Sequence, residues 1–245
     1  MTRFVFLTSL KLKETNFCCL TALAVMALAP AASAAVIGNF SVANIGGGGV
    51  TANNMVIDWF PPNNPLGNGN GMILTGGDTT LTYFNGVSTV ALGTDTAGTV
   101  NDLPGPPGAV GFFAFPSAPA LHWTLLAVGP GVSNTVCAGL LTGQSCSMFA
   151  GSPFILTATS TGSLVTLDAS GIVTDASPFT SNWMGAFTTQ IAGVSAASIQ
   201  STINSGGSLT STFSGEFVAV VPEPLTLALI GGGLIALAVL KRRKA

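Results

Sequence analysis

Positive charge is missing from the long central part of this 245-residue sequence. All seven Lys and Arg residues lie near the two ends, and none occurs between Lys13 and Lys241. Residues 35–220 contain seven of the nine acidic residues and no cation, which gives them a formal charge of −7. Because phosphate contacts made by Lys and Arg dominate nucleic-acid affinity, we expect no nucleic-acid partner.

Residues that support catalysis are also scarce. The single histidine, His122, lies in an apolar run, and no G-x-S-x-G motif accompanies it. One histidine does not suffice for a typical zinc site. The scattered carboxylates offer pairs for glycoside hydrolysis, but nothing in their order selects one pair. We therefore predict a non-enzymatic protein without cofactor or bound metal, and a hydrolase with unmarked carboxylates remains an alternative.

The first 34 residues have the three-part pattern of a secretory signal peptide. Three basic residues precede an apolar run over residues 17–29, and Ala32-Ser33-Ala34 matches an A-x-A cleavage site. This pattern predicts export through the Sec translocon, cleavage by signal peptidase and a mature chain that begins at Ala35. An uncleaved N-terminal anchor is the alternative.

Two cysteines remain after removal of the signal peptide. Cys137 and Cys146 enclose the segment C-A-G-L-L-T-G-Q-S-C, which has no nearby histidine and no C-x-x-C spacing. In an oxidising compartment, such a pair is expected to form a structural disulfide. A loop of this size contributes roughly 2–3 kcal/mol in the chain-entropy treatment.

Residues 35–220 have the pattern of an all-β domain. Short runs of Val, Ile, Thr and Phe are separated by Gly, Pro, Asn and Ser. The pattern predicts a single β-sandwich or jelly-roll-like domain, with one helix over residues 195–204 and a hairpin turn at Ala169-Ser170-Gly171. The predicted strands are 35–42, 55–60, 72–75, 79–84, 110–115, 121–128, 154–160, 164–168, 172–175, 183–190 and 209–220.

The most site-like pair within this domain is Asp58 and Trp59. An indole can stack on a sugar face while a neighbouring carboxylate accepts hydrogen bonds from sugar hydroxyls. A calcium site formed by Asp58 and the Asn-rich residues 61–71 is a weaker alternative, because a D-x-D-x-D pattern is absent. Ice binding would require regularly spaced threonines, and the Thr-x-Thr triplets here are irregularly spaced. Those triplets begin at Thr80, Thr94, Thr157 and Thr210.

Residues 221–245 form a separate C-terminal segment. Residues 225–240 are apolar and uncharged, and at about 1.5 Å per residue they span roughly 24 Å, a minimal membrane crossing. A soluble core helix is the alternative, but a basic cluster follows directly. This cluster consists of Lys241, Arg242, Arg243 and Lys244. Because positive charges stay on the cytoplasmic side, we predict a transmembrane helix with the β-rich domain outside.

A rigid motif, Pro222-Glu223-Pro224, precedes this apolar run. The order of Val-Pro-Glu-Pro, apolar helix and basic cluster resembles the PEP-CTERM sorting signal of Gram-negative bacteria, over about a tenth of the chain. The resemblance implies recognition by a membrane-embedded exosortase, removal of the tail near Pro-Glu-Pro and delivery to the cell surface or extracellular matrix. The same terminal signature is described for some ice-binding proteins. A stiff linker beside the membrane is the alternative interpretation of the motif.

These observations predict an exported cell-surface or extracellular-matrix protein. Its parts are a signal peptide (1–34), a β-rich domain (35–220) and a sorting or anchor segment (221–245). The expected role is structural and associated with exopolysaccharide and biofilm, with the membrane as a transient or permanent partner. The alternative is a carbohydrate- or ice-binding module on the cell surface.

Overall fold

The computed structural model describes residues 35–54, 56–61, 70–103 and 110–220. The signal peptide, the Pro222-Glu223-Pro224 motif, the apolar run and the basic cluster Lys241–Lys244 lie outside these ranges. No helix within the described ranges has the length and apolar character that a membrane crossing requires.

The described residues form sixteen strands and one helix, so the predicted all-β class is confirmed. In chain order the strands are β1 Gly38–Asn44, β2 Gly49–Ala52, β3 Ile57–Phe60, β4 Gly71–Thr75, β5 Thr82–Phe84, β6 Thr89–Ala91, β7 Ala97–Val100, β8 Val110–Gly111, β9 Phe113–Ala114, β10 His122–Val128, β11 Ser145–Ser147, β12 Phe154–Thr159, β13 Gly162–Thr174, β14 Thr180–Ala192, β15 Leu209–Ser211 and β16 Ser214–Val220. The helix, α1, spans Ala196–Asn204.

Most strands belong to one antiparallel sheet that nearly closes on itself. Its order is β11-β12-β13-β14-β16-β1-β4-β7-β9, and β10 pairs with both β13 and β8. Only Phe112 separates β8 from β9, and its backbone bonds Trp123 on one side and Asn101 on the other. The last strand of the path, β9, is thereby connected to β13 through β8 and β10. The sequence predicted a β-sandwich or jelly-roll-like domain, whereas here one curled sheet surrounds much of the core and the three-stranded sheet β15-β2-β3 packs against it.

Aromatic rings fill the inside of the curled sheet. Strand β13 alternates between buried and half-buried residues along its whole length, as expected for a strand with one face on a core. Phe40 stacks on Phe217 with ring centroids 5.3 Å apart, and Phe112 stacks on Trp183 at 5.8 Å. Each such pair contributes about 0.5–1.5 kcal/mol beyond the area that it buries.

The predicted hairpin at Ala169-Ser170-Gly171 is wrong, because β13 runs straight through it. A Cβ at Gly171 would overlap the carbonyl oxygen of Thr124 on β10 and lie 2.8 Å from Nε1 of Trp183. That Nε1–H donates to the carbonyl oxygens of Ile172 (3.0 Å) and Thr124 (3.2 Å). The glycine therefore admits a close approach of an indole and a neighbouring strand, rather than a turn.

Helix α1 confirms the helix predicted over residues 195–204. Ser195 is its N-cap, and the Ser195 hydroxyl accepts a hydrogen bond from the backbone N–H of Ser198 at 3.2 Å. Gln200 Nε2 donates to the carbonyl oxygens of Thr135 and Met148, both at 2.8 Å. These bonds fix the helix against the segment that contains the disulfide.

The structure contains the predicted disulfide between Cys137 and Cys146, with Cα atoms 5.3 Å apart. Both cysteines are buried, and Cys146 lies on β11 at one edge of the sheet. The backbone of this edge is already paired, because Ser147 N–H donates to the Asn134 carbonyl and Asn134 Nδ2 donates to the Ser145 carbonyl. The disulfide segment thus protects an edge strand from pairing with another chain.

A two-stranded hairpin, β5–β6, is attached to the main sheet by a buried carboxylate. Asp175 is 8% exposed, and its Oδ2 accepts a hydrogen bond from Phe84 N–H at 2.6 Å. Its Oδ1 accepts from Ser177 N–H at 2.8 Å. Two backbone donors thus satisfy the charge in place of a Lys or Arg partner.

Candidate functional site

The predicted sugar contact at Trp59 is wrong. Trp59 lies on β3 in the small sheet β15-β2-β3, and only 1% of its surface is exposed. Its ring centroid lies 5.6 Å from that of Phe112 and 5.4 Å from that of Phe187. Trp123 and Trp183 are equally buried. Stacking on a sugar requires an exposed ring face, which none of the three tryptophans has.

Asp58 instead belongs to a polar row on the other face of the small sheet. It lies opposite Thr51 of β2, and the Thr51 hydroxyl shares a 2.8 Å hydrogen bond with the hydroxyl of Thr210 on β15. The Asp58 Oδ1 atom is buried and has no hydrogen-bond partner within the described part of the chain. Desolvation raises the pKa of Asp58 above its ordinary value.

Asp102 is the second carboxylate near this row, and no sequence pattern singles it out. Its Oδ1 accepts a hydrogen bond from the backbone N–H of Trp59 at 2.8 Å. Desolvation raises the pKa of Asp102, the Trp59 hydrogen bond opposes this effect, and the charge of Asp58 adds to it. The two carboxylates therefore repel each other in a domain that has no cation to neutralise them. Forty-three residues separate Asp102 from Trp59, so no local pattern predicts their contact.

This carboxylate pair does not amount to a metal site. Among the residues that the structure describes, no group of three or more His, Cys, Asp or Glu side chains is arranged to hold a metal ion. The calcium alternative also invoked residues 61–71, most of which lie outside the described ranges.

A small apolar cavity of about 40 Å³ lies between the small sheet and the main sheet. Val50 and Trp59 line one side of it, and Val165, Leu167 and Phe187 line the other. The Trp59 Nε1 atom is buried and has no hydrogen-bond partner in the described residues. Apolar cavities of this kind stay dry or accept small apolar molecules. Its lining is mostly apolar, and the polar residues that line it are Thr188, Thr189 and Ser211.

The remaining candidates are not brought together by the fold. His122 is exposed on β10 opposite Thr174, and within the described residues its side chain makes no hydrogen bond to a carboxylate or hydroxyl. The Thr-x-Thr triplets lie on different elements, since Thr157 is on β12 of the main sheet and Thr210 is on β15 of the small sheet. They do not form one threonine face.

Comparisons of the chain with protein-family models, curated proteins and solved structures find no match. The processing residues Pro222, Glu223 and Pro224 and the basic cluster Lys241–Lys244 lie outside the described residues.

Proposed function

We propose that this chain is an exported protein of the cell surface or extracellular matrix, with a structural rather than enzymatic role. The observation that carries the proposal is the arrangement of the sequence, in which a signal-peptide pattern and a sorting-type tail flank one β-rich domain. Export to an oxidising compartment is consistent with the Cys137–Cys146 disulfide.

The tail determines where the protein goes in this proposal. Residues 225–240 form the transmembrane helix, and the basic cluster that follows stays in the cytoplasm. An exosortase recognises Pro222-Glu223-Pro224 and removes the tail, which delivers the domain to the cell surface or to a matrix that contains exopolysaccharide. The host implied by this signal is a Gram-negative bacterium.

The domain suits a structural role because its surface presents no exposed tryptophan and no Lys or Arg side chain. The three tryptophans are buried, and the seven acidic residues of residues 35–220 are scattered without a Lys or Arg among them. A negatively charged surface without cations favours solubility and discourages nonspecific binding to anionic polymers.

The experiment is an intact-mass measurement on protein recovered from the cell envelope and the culture medium of the native host. Trypsin mapping cannot replace it, because no Lys or Arg lies between Lys13 and Lys241. We expect a form that begins near Ala35, ends near Pro222–Pro224 and lies outside the inner membrane.

A matched pair of variants sharpens this test. Replacement of Pro222, Glu223 and Pro224 by alanine should retain the tail, whereas Thr226→Ser, two residues into the apolar run, should be processed normally. A wild-type form that keeps Lys241–Lys244 and stays in the inner membrane would show that the tail is a plain anchor and would refute the sorting proposal.

Carbohydrate or ice binding on the cell surface is the alternative function. It loses the support of an exposed Trp59, since that ring is 1% exposed. What remains in its favour is the row of oxygen-bearing side chains formed by Asp58, Thr51 and Thr210. Binding of the purified protein to exopolysaccharide or ice that Asp58→Asn weakens would favour this alternative.

A further inference from the structure

The chain enters and leaves the β-rich domain at the same end of the main sheet. Strands β1 and β16 are antiparallel neighbours, and Gly38 at the start of β1 pairs with Ala219 near the end of β16. Neighbouring strands lie about 5 Å apart. The segments that precede residue 38 and follow residue 220 therefore depart from adjacent positions.

Exposed apolar side chains cluster at this end. Met184 of β14 pairs with Val218 of β16 on the outer face, and these side chains are 55% and 38% exposed. Val220, one outer position further along β16, is 42% exposed, and Ile37 just before β1 is 45% exposed. Large apolar side chains that gather in one exposed area of a protein mark an interaction surface.

Two further apolar residues extend the cluster. Phe179 is 37% exposed and directly precedes Thr180, the first residue of β14. Val87 is 88% exposed in the turn of the β5–β6 hairpin, whose strand β5 is attached at this end through Asp175. We call Ile37, Val87, Phe179, Met184, Val218 and Val220 the apolar end of the domain.

We propose that the apolar end contacts the surface of a lipid bilayer while the terminal segments are inserted in that bilayer. The inference rests on the proposed membrane insertion of the tail. The apolar run begins at Leu225, and an extended chain covers at most about 17 Å between Val220 and that residue. So short a connection keeps the apolar end close to the membrane surface.

The N-terminal segment is connected to the same end of the domain as the C-terminal tail. Its apolar run ends at Ala29, and its basic residues stay in the cytoplasm, as do those that follow residue 240. Before processing, both terminal segments are therefore connected to the same end of the domain. If β1 began and β16 ended at opposite ends of the sheet, the two segments would not both connect to the apolar end.

The contact is apolar and not electrostatic. Residues 35–220 contain no Lys or Arg, so anionic headgroups have no cation to attract. The one acidic side chain that attaches the hairpin at this end, Asp175, is 8% exposed and bonded to two backbone N–H groups. Glu216, two positions before Val218 on the same outer face of β16, is exposed and is repelled by anionic headgroups. Contact with zwitterionic lipid should consequently be at least as strong as with anionic lipid, and salt should not weaken it.

The test uses the full-length chain reconstituted in phosphatidylcholine vesicles, with a fraction of the lipid brominated close to the headgroup. Phe179→Trp adds a fluorescent tryptophan at the apolar end, where brominated lipid can quench it. Leu141→Trp, in the disulfide segment, is the matched control. Leu141 is 70% exposed and lies near residues 144 and 158, in the part of the sheet where β14 reaches Ile191. Along β14, eleven residues separate Thr180 from Ile191, a distance of roughly 35 Å. The control position therefore lies far from the apolar end.

We expect brominated lipid to quench the added emission of Phe179→Trp at least severalfold more than that of Leu141→Trp. The quenching should not fall when salt is added, and addition of phosphatidylglycerol should not increase it. Adding Met184→Ser and Val218→Ser to the Phe179→Trp chain should reduce the quenching while the protein still floats with the vesicles. The native tryptophans are at most 2% exposed and provide the unquenched baseline.

Equal quenching at both positions, or none at Phe179→Trp in a chain that floats with vesicles, would refute the bilayer contact and leave the anchored tail intact. Fluorescence of the added tryptophan in Phe179→Trp that depends on protein concentration and not on lipid would assign the apolar end to contact with a second copy of the chain. That result would also refute the bilayer contact. Failure to float would refute the membrane insertion in the proposed function, and this inference with it.

Discussion

Replacement of Gly171 by alanine tests the central part of the fold directly. The new methyl group would overlap the backbone carbonyl of Thr124 and crowd Nε1 of Trp183. Overpacking of a core costs about 1–3 kcal/mol, and loss of the partners of a buried indole N–H costs about 1–3 kcal/mol more. We therefore expect Gly171→Ala to lower the free energy of unfolding by about 3 kcal/mol or more, out of a total of roughly 5–15 kcal/mol.

The assay is urea unfolding followed by tryptophan fluorescence, with Gly77→Ala as the matched control. A Cβ at Gly77 would have no atom of the described residues within 4 Å, so this replacement should change stability by less than about 0.5 kcal/mol. A red shift of the native emission is also expected for Gly171→Ala, because the Trp183 indole must move. A stability change equal to that of Gly77→Ala would show that β13 does not run continuously beneath Trp183 and would refute the close-approach argument.

Three further predictions address the charges and the disulfide. Burial raises the folded-state pKa of Asp58, so ionisation of this carboxyl destabilises the fold. The free energy of unfolding should therefore rise as pH falls from 7 through that pKa. In equilibrium unfolding, Asp58→Asn should weaken this pH dependence. Asp175→Ala should remove two hydrogen bonds to a charged group, cost about 3 kcal/mol and raise amide exchange in the β5–β6 hairpin, whereas unchanged exchange would contradict its role. Replacement of Cys137 and Cys146 together by serine should cost roughly 2–3 kcal/mol in thermal unfolding, and an unchanged Tm under oxidising conditions would contradict a stabilising disulfide.

The strand predictions succeeded where alternation or β-branched runs were strong, whereas the short strands β2, β6, β7 and β11 were not predicted. Strand β7, which contains Gly98, was not predicted; a Cβ at Gly98 would lie 2.5 Å from the Phe115 ring, so this glycine makes room for an aromatic side chain. The predicted strand over 209–220 is two strands that belong to different sheets, with Phe213 buried between them. Local composition cannot distinguish a glycine in a turn from one beneath a ring.

The sequence also failed to place Asp58 and Trp59, the candidate ligand contacts, correctly relative to each other. Asp58 and Trp59 are adjacent in sequence, but successive strand residues point to opposite faces, so a binding pair on one strand should be two residues apart. The indole of Trp59 therefore enters the core while Asp58 lies near Thr51. This alternation was readable in the sequence once β3 was identified as a strand with one buried face.

The sequence by itself determined the all-β class, the helix over residues 195–204, the disulfide and the separation of a cation-free domain from charged, apolar ends. Each of these follows from local propensity, from composition or from the two cysteines that lie outside the predicted signal peptide. Only the tertiary structure decided that the sheet nearly closes, that Asp102 meets Trp59 and that Gly38 and Ala219 lie side by side at one end of the sheet. These features depend on contacts between residues far apart in the chain, which are set by strand order and packing and not by any local pattern.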